Sequence, residues 1–130
     1  MVKFLTLSEI LLILEDQIAN YGGIHGVRDI NLLITAIYMP ESCFSGQYLH
    51  KSLPAMAAAY AFHICQNRPL IDGNKRVALA SSLVFLEING YGFSCENETL
   101  YNEIMNLAKG EIKKEELEEF YEKYASQNKQ

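Results

Sequence analysis

Apolar residues recur at helical spacing along most of this chain. Behind Thr6-Leu7-Ser8-Glu9, which has the form of a capping box, Ile10, Leu11, Leu14 and Ile18 make an apolar stripe, and Gly22-Gly23 ends the helix they predict. A second, shorter helix fits Asp29 to Tyr38, with Asp29 placed to cap it and Pro40 just beyond its end. The stretch from Glu41 to Gln47 reads as loop. Within and beside it, Cys43-Phe44 and Tyr48-Leu49 flank Ser45-Gly46-Gln47 and suit a small hairpin.

Two later stretches carry no charge. Neither Ser52 to Asn67 nor Val77 to Leu86 contains an Asp, Glu, Lys or Arg. Helices without a charged face are normally surrounded by protein, so two buried helices are expected here. After Gly90 the chain turns, Tyr91 to Ser94 suits a short extended piece, and Asn97 is placed to cap a helix that runs to Lys109 and closes at Gly110. The last segment, Lys113 to about Tyr124, is charged, with Leu117, Phe120, Tyr121 and Tyr124 on one face. The pattern adds up to an all-α bundle of about six helices, with a short β-hairpin at most, in one domain over residues 1–130.

Composition narrows the function classes. At 130 residues, 49% of them apolar, the chain is long enough for a real core. A formal net charge of −5 argues against broad electrostatic binding to DNA or RNA, which needs a basic face. Cys43, Cys65 and Cys95 are scattered without CxxC spacing and read as reduced thiols, not as zinc ligands. Leu11 to Leu14 lies between Glu9 and Glu15-Asp16, unlike a signal peptide's apolar region, and the Ser52 to Asn67 run falls short of the roughly 20 residues that span a bilayer. A cytoplasmic protein without a membrane partner is the expectation.

The chemistry is expected where the two uncharged stretches meet. The joining segment Arg68-Pro69-Leu70-Ile71-Asp72-Gly73-Asn74-Lys75-Arg76 packs four charged side chains into nine residues. A helix starting near Gly73 or Asn74 carries Lys75 and Arg76 in its first turn, where cations oppose the helix dipole. An anion would compensate them. Free amides at the helix start, close backbone approach at Gly73 and two cations together make a phosphate cradle, and Asp72 beside it suits Mg²⁺, which takes one or two carboxylates plus phosphate oxygens. The same residues also suit a purely structural turn, in which Asp72 caps the helix, Gly73 and Asn74 form the turn, and Lys75 and Arg76 pair with surface carboxylates. The absence of GxxxxGK[ST] excludes a P-loop.

The segment Pro69-Leu70-Ile71-Asp72-Gly73-Asn74-Lys75-Arg76 resembles the signature loop of the Fic/Doc superfamily, HPFx[DE]GN[GK]R. Tyr21-Gly22-Gly23 with Gly26-Val27-Arg28-Asp29 and Leu32-Leu33, and also Phe85-Leu86-Glu87-Ile88-Asn89-Gly90-Tyr91, resemble the death-on-curing (Doc) branch, as does lysine at Lys75. The resemblance implies a toxin of a type II toxin–antitoxin pair. Such a toxin would use ATP and Mg²⁺ to phosphorylate a Ser or Thr of a protein, as the branch does with translation elongation factor Tu. It implies Asp72 as metal ligand, Gly73, Asn74 and Lys75 as phosphate nest, and Arg76 for phosphate charge. It further implies a Phd-like antitoxin that docks an amphipathic helical segment near the loop, and a flap at Phe44 to Tyr48 that aligns the target by strand pairing.

Two positions depart from the pattern. The superfamily's catalytic histidine, the general base, falls at Arg68, and its aromatic anchor falls at Leu70. A guanidinium, with a pKa above about 12, takes up no proton near neutral pH. Three outcomes stay open: an altered phosphotransferase in which Arg68 steadies γ-phosphate charge, a catalytically silent protein that binds nucleotide or a partner, or a degenerate toxin. Of the histidines, His63 is expected to pack in the core helix, and His25 and His50 to lie on the surface.

Overall fold

Ten of the fifteen residues of the helix Leu53–Asn67 are buried, and the other helices are arranged around it. The computed structural model describes residues 1–128 and gives α1 (Leu7–Tyr21), α2 (Ile30–Tyr38), α3 (Leu53–Asn67), α4 (Asn74–Ile88), α5 (Asn97–Ala108) and α6 (Lys114–Tyr124). α3 packs most extensively on α4, then on α6 and α2, while α1 covers another side of α4. One hydrophobic core runs through all six helices, from Ile10 and Leu14 through Leu33, Tyr60, Ile64, Val77 and Phe85 to Ile104, Leu107, Leu117 and Tyr121. This is the all-α bundle that the apolar periodicity predicts. The described residues contain no helix long and apolar enough to cross a membrane.

Local signals account for most helix boundaries. The Thr6 hydroxyl accepts from Glu9 N at 3.1 Å and the Glu9 carboxylate accepts from Thr6 N at 2.8 Å, so α1 opens on a complete capping box. The Asp29 carboxylate accepts from Leu32 N at 3.1 Å and Ser52 Oγ from Ala55 N at 3.1 Å, which caps α2 and α3. In place of the expected Asn97 cap, α5 has Glu96 at its N-cap without a side-chain bond, and Asn97 is the first helical residue.

Two small antiparallel pairs complete the architecture. β1 (Cys43–Phe44) pairs with β2 (Gln47–Tyr48), one residue earlier than the pairing with Tyr48-Leu49 expected from sequence. The reason lies in the turn. Ser45 (φ 52°) and Gly46 (φ 75°) are both left-handed and form a two-residue connection whose twist matches the strands. β3 (Tyr91–Phe93) pairs with β4 (Ala125–Gln127), a strand that the polar Ala-Ser-Gln segment does not announce. It forms because α6 ends beside β3, where Ser94 N donates to Tyr124 O at 3.0 Å.

Tyr60, fully buried in α3, accepts a hydrogen bond from Leu5 N at 2.9 Å and so anchors the N-terminal segment to the core. Burial pushes the Tyr60 hydroxyl pKa up. Tyr60→Phe leaves the Leu5 amide without its partner and is expected to lower stability by about 1–3 kcal/mol, read as a lower urea midpoint at unchanged m-value.

Candidate anion-binding active site

α3 ends in an unusual way. Its C-cap is Arg68 at φ 46°, ψ 55°, a left-handed conformation that costs an L-residue with a Cβ roughly 1–2 kcal/mol. Pro69 follows and cannot continue a helix. Leu70 then turns inward, only 1% exposed, at the position of the superfamily's aromatic anchor. Its backbone is held from both sides by one side chain: Leu70 N donates to Asn74 Oδ1 at 2.9 Å, and Asn74 Nδ2 donates to Leu70 O at 3.1 Å. Gly73, at φ 80° and ψ 17°, is the N-cap of α4. A glycine suits this conformation, and a residue without a side chain offers the helix start no capping oxygen.

The consequence is an open helix terminus with two cations on it. α4 has no side-chain cap and no acidic residue in its first turn, which contains Lys75 and Arg76. The amides of Asn74, Lys75 and Arg76 therefore have no partner inside the helix. These residues line a cavity of about 300 Å³ together with Arg68, Asp72 and Gly73, so all six candidate site residues meet in one place, joined by Cys65, Ile71 and Ala108.

Hydrogen bonds divide the six into holders and free groups. The Asp72 carboxylate accepts from Ile24 N through Oδ2 at 3.2 Å and from Gly73 N through Oδ1 at 2.9 Å, so it braces the turn and does not cap α4. Arg76 does not pair with a carboxylate in these bonds. Nη2 donates to Gly22 O at 2.9 Å and Nη1 to Gln17 O at 3.4 Å, which ties α4 to the end of α1. Asp72 thus braces the loop in place of the expected helix cap, Arg76 holds backbone carbonyls in place of a carboxylate, and both line the cavity. Each Asp72 oxygen retains a lone pair, which suits a metal that takes most of its ligands from water and phosphate. Among the described residues no group of three or more His, Cys, Asp or Glu side chains is placed to hold a metal by itself.

None of the histidines lines the cavity. His63 is half-buried on α3, with Nε2 3.0 Å from Lys114 Nζ, and its pKa falls to about 4 through burial first, then through the Lys114 charge and His50. His25 is exposed, as expected. His50 is not on the surface: it is 5% exposed, tucked between the hairpin and α3, and burial together with Lys114 lowers its pKa against a hydrogen bond to the Pro40 backbone. It lies two residues before the Ser52 cap, and parts of the fold distant in sequence, Lys114 among them, come close to it. Cys65 lies at the cavity wall, where burial raises its pKa to about 11 despite the nearby Lys75 and Arg68 charges. It is held as a thiol.

The connector of residues 22–29 is the part of the site that residue-by-residue reading missed. Val27 and Leu70 form an isolated antiparallel bridge, Ile71 N donates to Gly26 O at 3.0 Å, and Arg28 N and Asp29 N both donate to Pro69 O, at 2.7 and 3.0 Å. The available signal was the glycine density. Gly23, at φ 113°, lies so close that a Cβ there would sit 2.7 Å from Asp72 Oδ2 and 3.1 Å from Arg76 Nη2.

The two central helices α3 and α4 are joined by a braced, cation-bearing loop, and the chain belongs to the Fic/DOC family: that family's model matches residues 4–86, which include the whole loop. Among similar proteins is one named Toxin Doc from Mycolicibacterium smegmatis, 36% identical over 89 residues, which cover 65% of this chain and 68% of that protein.

Two measurements check this geometry. Gly23→Ala is expected to cost about 1–3 kcal/mol from backbone strain alone, and more as Asp72 is displaced. Gly46→Ala, with open space around it, should cost about 1 kcal/mol. The second concerns pH. His63 has a lowered pKa in the fold, so its contribution is full above the unfolded value of 6.5 and is lost as pH falls toward 4. Urea unfolding should show stability falling over that window, with a shallower fall in His63→Gln; an unchanged slope would contradict the lowered pKa of His63.

Proposed function

We propose that this protein is the toxin of a toxin–antitoxin pair, and that its loop takes ATP with Mg²⁺ and transfers a phosphoryl group to a Ser or Thr of a protein target. The observation that carries the reading is the uncapped start of α4, with Lys75 and Arg76 in its first turn, opening on the cavity that Asp72 also lines. The similarity to Toxin Doc supports the toxin reading. Elongation factor Tu is the target that the resemblance suggests, a Phd-like protein the antitoxin, and the cytoplasm the place of action.

Each residue has a defined part. The backbone amides from Asn74 onward and the Lys75 ammonium receive phosphate oxygens, while Asp72 offers the single protein carboxylate for Mg²⁺. Bound there, Mg²⁺ would neutralise charge on the phosphates. Arg76 supplies charge while fixed to Gly22 and Gln17, and the Asn74 side chain, committed to Leu70, contributes through its backbone. Arg68 stands where the resemblance puts the histidine. It donates hydrogen bonds but accepts no proton, and it adds a third cation to the cavity. Transfer through a loose transition state depends on positioning and charge stabilisation, which this arrangement retains. The exposed apolar side chains Tyr21, Ile24 and Ile71 near the loop give an antitoxin helix a surface to cover.

A second reading is favoured by one specific observation. No histidine lines the cavity, and His63 is engaged by Lys114. On this reading the protein binds nucleotide or a partner and does not turn over.

The deciding experiment follows γ-labelled ATP with Mg²⁺ onto proteins of a bacterial lysate. If wild type labels a discrete protein and Asp72→Ala does not, the protein is a phosphotransferase that works without the histidine. If only Arg68→His labels, the silent reading holds. Calorimetry should show that Asp72→Ala removes Mg²⁺-dependent ATP binding; unchanged affinity would remove its metal role.

A further inference from the structure

Arg28 lies outside the cavity lining and its side chain is exposed, yet it makes more bonds to the end of α3 than any residue of the loop itself. Its Nε donates to Arg68 O at 2.8 Å and its Nη2 to Asn67 O at 3.0 Å, while its backbone N donates to Pro69 O at 2.7 Å. Three successive carbonyl groups at the end of α3 are thereby held by one residue. We propose that Arg28 is the positioning residue of the pocket, fixing the left-handed backbone at residue 68 so that the Arg68 side chain stands in the cavity wall beside the open start of α4.

Helices commonly end on a left-handed glycine, which adopts that conformation without a steric penalty. Here the position carries an arginine at φ 46°, so an outside restraint has to select the conformation. Arg28 has the geometry for it. The planar fork presents two donors at fixed separation, and Nε and Nη2 reach two adjacent carbonyls at once. The charge also suits the place, because α3 has no basic residue in its own last turn and a cation at a helix C-terminus opposes the exposed carbonyl dipoles. A lysine, with a single ammonium on a flexible stem, does not reproduce the two-point hold.

This inference rests on the phosphate reading of the cavity and names the residue that acts on it through Arg68. A four-protein cycle tests it: wild type, Arg28→Gln, Arg68→Ala and the double variant, with Arg28→Lys as the charge-conserving control and Mg²⁺·ATP as the calorimetric probe. Arg28→Gln should weaken binding about tenfold, with Arg28→Lys between it and wild type. In the Arg68→Ala background, Arg28→Gln should change affinity little, since the side chain it positions is gone. Equal losses in both backgrounds would mean a merely structural role and would overturn the proposal.

Amide hydrogen exchange across residues 66–72 separates this claim from the phosphate reading. Arg28→Gln should speed exchange there while the cores of α3 and α4 keep their protection; unchanged exchange would overturn the hold on residue 68. If wild type fails to bind Mg²⁺·ATP, the phosphate reading falls and the proposed role for Arg28 in ligand binding falls with it, and faster exchange then shows only a backbone brace.

Discussion

The hydrogen bonds between residues 22–29 and the turn at residues 67–72 are the constraint on which the rest of the site depends. α3 is buried along most of its length and α4 along one face, so the short segment between them has to reverse direction with its backbone groups satisfied. Asn67, Arg68 and Pro69 give their carbonyls to Arg28 and Asp29, Leu70 is held by Asn74, and Ile71 N reaches Gly26. A turn supplied from outside in this way does not need a capping side chain on α4. The first amides of that helix are left without a side-chain cap, beside the Lys75 and Arg76 side chains.

Electrostatics and packing then converge on one cavity. Lys75 and Arg76 stand in the helix turn where positive charge is least favoured, and no acidic residue of that turn offsets them. Asp72 is fixed by two backbone amides, which leaves lone pairs for a cation and keeps the carboxylate from closing over the amides. Arg76 has a second task in tying α4 to α1, so its loss would disturb packing as well as charge. The cavity wall is completed by Cys65, whose raised pKa keeps it a thiol, and by Arg68. Membership of the Fic/DOC family agrees with this arrangement, while the side chain at residue 68 gives the cavity a different balance of charge from one built around a histidine.

The bundle was legible in the sequence because its signals are local. The Thr6–Glu9 box, the Asp29 and Ser52 caps, and the two charge-free stretches each mark an element through residues a few positions apart. The loop was legible too, because nine contiguous residues concentrate charge between apolar helices. What escaped depends on distance in the chain. β4 exists only because α6 delivers it to β3, and His50 is buried by what packs over it. The hairpin register turned on two positive φ angles, at Ser45 and Gly46. Arg28 bonds to backbone carbonyls about 40 residues away, and nothing in its own neighbourhood foretells that. Arg76 was recognised as a cation but not as a brace.

The central claim is that the start of α4 is a preformed anion site. A titration of the isotope-labelled protein with Mg²⁺·ATP, followed through backbone amide resonances, tests it most directly. The account predicts that the largest saturable shifts fall on residues 73–76, with smaller ones on residues 22–24 that brace Asp72 and Arg76. Saturable shifts confined to the hairpin or α2, with residues 73–76 unmoved, would contradict it.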